Sequence, residues 1–175
     1  MHLSPRVSPP SAAAVEAFLD AARNSRPDLD LTDNWEVRWI GLDEETTYRI
    51  FDLIRAGDKT GTFTLPWVVE RTERQVPYAG LCLVLVDMHG RPTLLVRLRE
   101  VREAVFGEVT AAHTAVDGSP VRDPVVWKAL HTRFWNDLLA PYGLAVTEQM
   151  PFWIEPFELV YDADAPQAPR TRPIE

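Results

Sequence analysis

Cysteine is almost missing: Cys82 is the only one among 175 residues, so no disulfide can form within one chain and no disulfide-linked partner is expected. Its place inside an apolar run fits a reducing, cytoplasmic setting. No window approaches the roughly eighteen consecutive apolar residues of a membrane span, and no charged N-terminal segment leads into a long apolar stretch. Basic residues are in deficit: 18 Lys and Arg stand against 26 Asp and Glu, for a net charge of -8. That balance excludes a uniformly basic nucleic-acid surface and leaves room only for a local patch. A phosphate-cradling glycine motif, a paired-cysteine metal site and a nucleophile-elbow serine are all missing. The histidines, His2, His89, His113 and His131, are too scattered for a metal cage, and no cofactor is expected.

What is present suits one domain with a real core, since nearly half the residues are apolar. Met1 to Pro10 reads as poorly ordered, and Ser11 then caps a helix carrying Val15, Phe18, Leu19 and Ala22 on one face. Trp35, Val37 and Trp39 alternate with charged residues, as in a half-buried extended segment. Asp43 caps a second helix with Glu44 and Glu45 in its first turn, Thr47, Ile50, Phe51 and Ile54 as its packing stripe, and Gly57 at its end. Thr62 to Val69 reads as a strand bent or placed at an edge by Pro66. Leu81 to Val86 and Thr93 to Val101 form a hairpin around Asp87-Met88-His89-Gly90, with Arg97 and Arg99 on its outer face. A short helix over 108–116, a long one from Asp123-Pro124 to about Ala140, and a strand over 150–161 broken at Pro156 complete the order. The tail from Asp162 to Glu175 reads as disordered.

One loop concentrates chemistry. Gly57-Asp58-Lys59-Thr60-Gly61-Thr62-Phe63-Thr64 sets a lysine and three hydroxyls between a helix and a strand. A threonine becomes a nucleophile when a neighbouring base takes its proton, and a neutral lysine can serve. A solvated lysine beside turn hydroxyls is the more ordinary reading of the same residues.

The ordered set Gly57-x-Lys59-Thr60-x-Thr62, Pro77-x-x-Gly80 before an apolar hairpin, Phe106-Gly107-Glu108-Val109-Thr110, Asp117-Gly118 and Trp127-x-x-x-His131-x-x-Phe134 resembles the ASCH domain family from about Trp35 to Tyr161. The resemblance implies an α+β fold, a PUA-like mixed β-barrel with flanking helices. It divides the chain into an N-terminal extension with one helix (1–34), the ASCH domain (35–161) and the tail (162–175). It also implies an RNA, nucleoside or nucleotide partner. One branch of the family hydrolyses the amide of N4-acetylcytidine, and some bacterial members are ribonucleases. Carried over by position, the catalytic set is Lys59, Thr62 and Asp117, the last standing where that branch has glutamate. Thr64 stands where it has arginine. The ligand-binding set expected around them is Thr60, Gly61, Thr64, Arg38, Arg97, Arg99 and Trp67. Three functions stay open at this point: RNA or nucleotide binding, hydrolysis, and a non-catalytic ligand-binding interaction module.

Overall fold

The computed structural model describes residues 7–165. Its centre is a mixed sheet built from β1 (Trp35–Arg38), β2 (Gly61–Thr64), β3 (Cys82–Val86), β4 (Pro92–Leu98), β5 (Arg102–Val105) and β6 (Pro151–Asp162). The spatial order is β1-β3-β4-β6-β2, with β5 also on β6. β1 runs parallel to β3, and the other pairs are antiparallel. β6 is the hinge of the sheet. Phe157 to Asp162 pair with β4, whereas Pro151 to Pro156 pair with β5 and β2. The sheet thereby curls into a half-barrel, with Pro156 at the turnover point.

Five helices pack around it: α1 (Ala12–Ser25), α2 (Glu44–Arg55), α3 (Pro66–Val69), α4 (Ala111–Thr114) and α5 (Pro124–Leu139). The continuous apolar run of β3 has a simple cause, because both its faces are covered. Cys82, Val84 and Val86 pack with Val15, Phe18, Leu19 and Ala22 of α1. Leu83 and Leu85 face the opposite side, with Phe51 and Ile54 of α2. Strand side chains alternate, so one five-residue strand serves two cores. A third core joins Trp127, Trp135 and Leu139 of α5 to Phe106, Phe152 and Ile154.

Local signals hold where side chains cap the backbone. The Ser11 hydroxyl accepts from Ala14 N, Asp43 from Thr46 N, and Asp123 from Val125 N, so α1, α2 and α5 begin as expected. Trp35, Val37 and Trp39 pack together against the α1 core. Several expectations change. The strand expected to break at Pro156 runs through it unbroken as β6. The strand over 62–69 stops at Thr64, because Pro66 takes the first position of α3, where a missing N–H is harmless. The helix over 108–116 is reduced to α4, since Thr110 is extended and caps it there, leaving Phe106–Glu108 as a separate 3-10 turn. Val7 is buried and Ser8 N donates to the Met88 carbonyl, so residues 7–10 are seated on the hairpin turn. Residues 1–6 lie outside the described residues. Asp162 is the end of β6, and with Asp164 it accepts hydrogen bonds from Arg55. The rest of the expected tail, from 166, is also outside the described residues.

Gly61 sits where β2 meets the segment before Asp117. A Cβ there would lie 2.7 Å from Val116 Cβ and 3.0 Å from the Glu155 carbonyl. Gly61→Ala is therefore expected to push β2 off that segment and to cost about 1–3 kcal/mol, measured as a lowered denaturation midpoint with an unchanged m-value.

Candidate functional site

The site begins at the end of α2. Gly57, at φ 71°, turns the chain through the left-handed region, and the amides of Asp58 and Lys59 both donate to the Leu53 carbonyl, at 2.9 and 3.0 Å. The chain then leaves the helix under constraint. Thr60 N donates to the Val116 carbonyl at 2.8 Å, and the Thr60 carbonyl accepts from Phe157 N at 2.7 Å. That backbone clamp carries Asp117 to Lys59. The Asp58 carboxylate accepts from Ser119 N at 2.9 Å and from Arg122 Nη2 at 2.6 Å, while Arg122 Nε donates to the Asp117 carbonyl at 3.1 Å. Two loops distant in sequence are thus laced together on both sides of one contact.

In that contact Lys59 Nζ donates to Asp117 Oδ1 at 2.5 Å, with both side chains buried. Asp117 Oδ1 also accepts from Gly118 N at 2.9 Å. Aspartate therefore spans the distance to the lysine. The pair lies in the wall of a cavity of about 290 Å³. Thr62 and Thr64 of β2 reach the same cavity, and Ile50 and Leu53 of α2 face it with Leu130, Phe134 and Leu138 of α5. The Thr62 side chain makes no hydrogen bond among the described residues.

A second buried charge group stands beside the first. Alternation along β1 turns Trp35 and Val37 to the α1 core and leaves Glu36 and Arg38 on the other face. Arg38 Nη1 donates to Glu155 Oε2 at 2.5 Å and to Thr64 Oγ1 at 3.3 Å, and its Nη2 donates to Glu36 Oε1 at 2.6 Å. Burial opposes this guanidinium's charge, but Glu155 and Glu36 outweigh it and hold Arg38 above its ordinary value. Glu155 is fully buried, and its Oε1 has no hydrogen-bond partner among the described residues.

The cavity takes in Lys59, Thr62, Asp117, Thr64 and Arg38 of the expected residues. The remaining ones are elsewhere. Gly61 is a packing position against Val116. Thr60 and Arg99 share a shallow groove with Pro156 and Glu158. Arg97 and Arg99 both donate to Glu158, which neutralises much of the basic face expected there. Trp67 packs, half-buried, on the α5 core. Arg49, Arg74 and His131 also line the cavity; sequence reasoning passed over the two arginines and marked His131 only by its spacing from Trp127. Arg49 was legible as a polar position of α2 one residue before the packing residue Ile50. Arg74 carried no signal, because nothing in a charged connection says which way it folds.

His131 carries both a packing and a chemical role. Its ring stacks on Trp127 with centroids 3.9 Å apart, and Nδ1 lies 2.9 Å from the Trp127 carbonyl. Burial draws its pKa down to about 4, so the ring is neutral at neutral pH. A carbonyl can only accept, so the proton is on Nδ1 and Nε2 is left as a lone-pair acceptor. With an unfolded value near 6.5, the unfolded chain binds a proton first as pH falls. His131 thus contributes stability that is complete above about pH 6.5 and is lost towards pH 4, about 3 kcal/mol in all. His131→Gln is expected to flatten that part of the stability profile, measured by denaturant titration at stepped pH.

The profile of the ASCH domain matches residues 38–161, well over half the chain. Among solved structures, the chain is similar to an ASCH domain from Lactobacillus crispatus JV V101, at 19% identity and a TM-score of 0.73, covering 85% of this chain and 95% of that one. It is also similar to a protein from Enterococcus faecalis V583, at 25% identity and a TM-score of 0.74, covering 85% of this chain and 89% of the other. No curated protein matches it. The curled mixed sheet, the flanking helices and the profile match agree, and the chain belongs to the ASCH domain family, with its PUA-like α+β fold.

Proposed function

We propose that the cavity binds a nucleobase, presented either by a free nucleoside or nucleotide or by single-stranded RNA. The observation that carries this reading is the convergence of Lys59 and Thr62, from one stretch, and Asp117, from a distant one, on one cavity with apolar side walls. The family's association with RNA supports it. So does the shape: a flat ring gains from apolar faces on α2 and α5, while its edge requires hydrogen-bond partners of both kinds. Lys59 offers a donor, and Thr62 and His131 Nε2 offer acceptors.

A second, hydrolytic reading uses the same groups, since Lys59, Asp117 and the Thr62 hydroxyl line one cavity. In that reading Lys59 passes one proton to Asp117 along their 2.5 Å contact and, now neutral, takes the Thr62 proton as the threonine oxygen attacks an acyl carbon. The ammonium re-formed on Lys59 then faces the developing oxyanion; as it collapses the carbon–nitrogen bond breaks, the proton held by Asp117 passes to the leaving amine, and water then hydrolyses the acyl-threonine.

Calorimetry with the four common nucleosides, their monophosphates and a short single-stranded RNA tests the binding reading. At least one is expected to bind, and Lys59→Ala is expected to weaken it by about tenfold or more, the loss of a charge-assisted hydrogen bond. Binding by none of them, or binding indifferent to Lys59→Ala, would contradict it. Incubating the protein with N4-acetylcytidine and with RNA then separates binding from turnover by product.

A further inference from the structure

The cavity's cations are unequally employed. Lys59 is taken up by Asp117, and Arg38 by Glu36, Glu155 and Thr64. Arg74 is different. Its Nη2 lies 3.7 Å from Glu36 Oε1, beyond hydrogen-bond distance, and is buried without a hydrogen-bond partner among the described residues. Glu36 is already committed to Arg38. Burial, together with the charge of Arg38, draws Arg74 down to about 10, which leaves it a cation at neutral pH. Arg49, on the exposed side of α2, lines the same cavity and makes no ion pair or hydrogen bond among the described residues.

The charges around the cavity therefore do not cancel. Arg38, Arg49, Lys59 and Arg74 are set against Glu36, Asp117 and Glu155. A chain with net charge -8 thus keeps a local positive excess at this cavity. An acidic protein gains nothing in solubility from that arrangement. It creates a potential that draws in and holds an anion. Two guanidiniums with donors to spare, beside walls suited to a flat ring, match a phosphate attached to a nucleoside, because their N–H forks pair with phosphate oxygens two at a time.

We infer that the ligand is a nucleoside phosphate monoester, held through its phosphate by Arg49 and Arg74 while its base enters between α2 and α5. This inference rests on the nucleobase reading and narrows it. It makes the charged ligand, and not the neutral nucleoside, the species the cavity selects. The phosphate has two sources, a free mononucleotide or the 5′ end of an RNA strand, and both present the same dianionic group.

The test compares affinities by calorimetry for each nucleoside and its 5′-monophosphate, and for one short RNA with and without a 5′-phosphate. Wild type is expected to prefer the phosphorylated member of at least one pair by about tenfold or more. Arg49→Glu is expected to abolish that preference, bringing monophosphate affinity down to that of the matching nucleoside or below, and because Arg49 is exposed its replacement leaves the buried network intact. Arg74→Gln is expected to weaken the preference as well. Preference confined to the mononucleotide identifies the free ligand, and preference extending to the oligonucleotide identifies a strand end. Equal affinity within every pair, or a preference that survives Arg49→Glu, overturns the inference while leaving nucleobase binding in place. Binding of no nucleoside, nucleotide or RNA overturns both.

Discussion

The contact between Lys59 and Asp117 is the constraint around which the cavity is arranged. A buried ammonium and a buried carboxylate are each costly alone, and each is tolerable because the other is within hydrogen-bond reach. The pair comes from two loops 58 positions apart in sequence, so something must hold them in register. The Thr60–Val116 backbone bond does so on one side and the Asp58–Arg122 pair on the other. The glycine ending α2 matters for the same reason, because its left-handed turn lets the Asp58 and Lys59 amides close on Leu53. The site is thus anchored to helix ends and strand edges and is not left to a free loop.

β6 supplies the second anchor. By pairing with β4 over one half and with β2 and β5 over the other, it fixes the angle between the two parts of the sheet. Glu155 lies just before the turnover and reaches Arg38 of β1, which is not its neighbour in the sheet. A buried ion pair spanning the mouth of the curl gives the half-barrel one preferred closure, and the same arginine presents itself to the cavity. Removing either partner would leave an uncompensated buried charge, typically a loss of about 3–5 kcal/mol.

Much of this was legible in the sequence because it depends on local rules. Ser11, Asp43 and Asp123 cap helices by accepting from amides two or three residues on, and that is written in residue type and spacing. The alternation from Trp35 to Trp39, the hairpin around Gly90 and the glycine after α2 are equally local. The helix α3 was not legible, since the same β-branched and aromatic residues serve a strand or a helical turn, and only the position of Pro66 as a helix start decides. The candidate site divides in the same way. Lys59, Thr62 and Asp117 were marked by an ordered pattern. Arg97 and Arg99 appeared available because the strand that pairs with them, and brings Glu158, lies about sixty residues away. Arg74 enters through tertiary packing, to which spacing is blind.

The proposed function puts ligand recognition at the cavity beside Lys59 and Asp117, and not on the outer strand face where Arg97 and Arg99 lie. Amide chemical-shift mapping during titration with a nucleotide tests this most directly. The predicted result is a set of perturbations centred on Lys59, Thr62, Asp117, Gly118 and His131, fading towards β4. Perturbations centred on Thr60, Arg97 and Arg99, with the cavity residues unmoved, would contradict it.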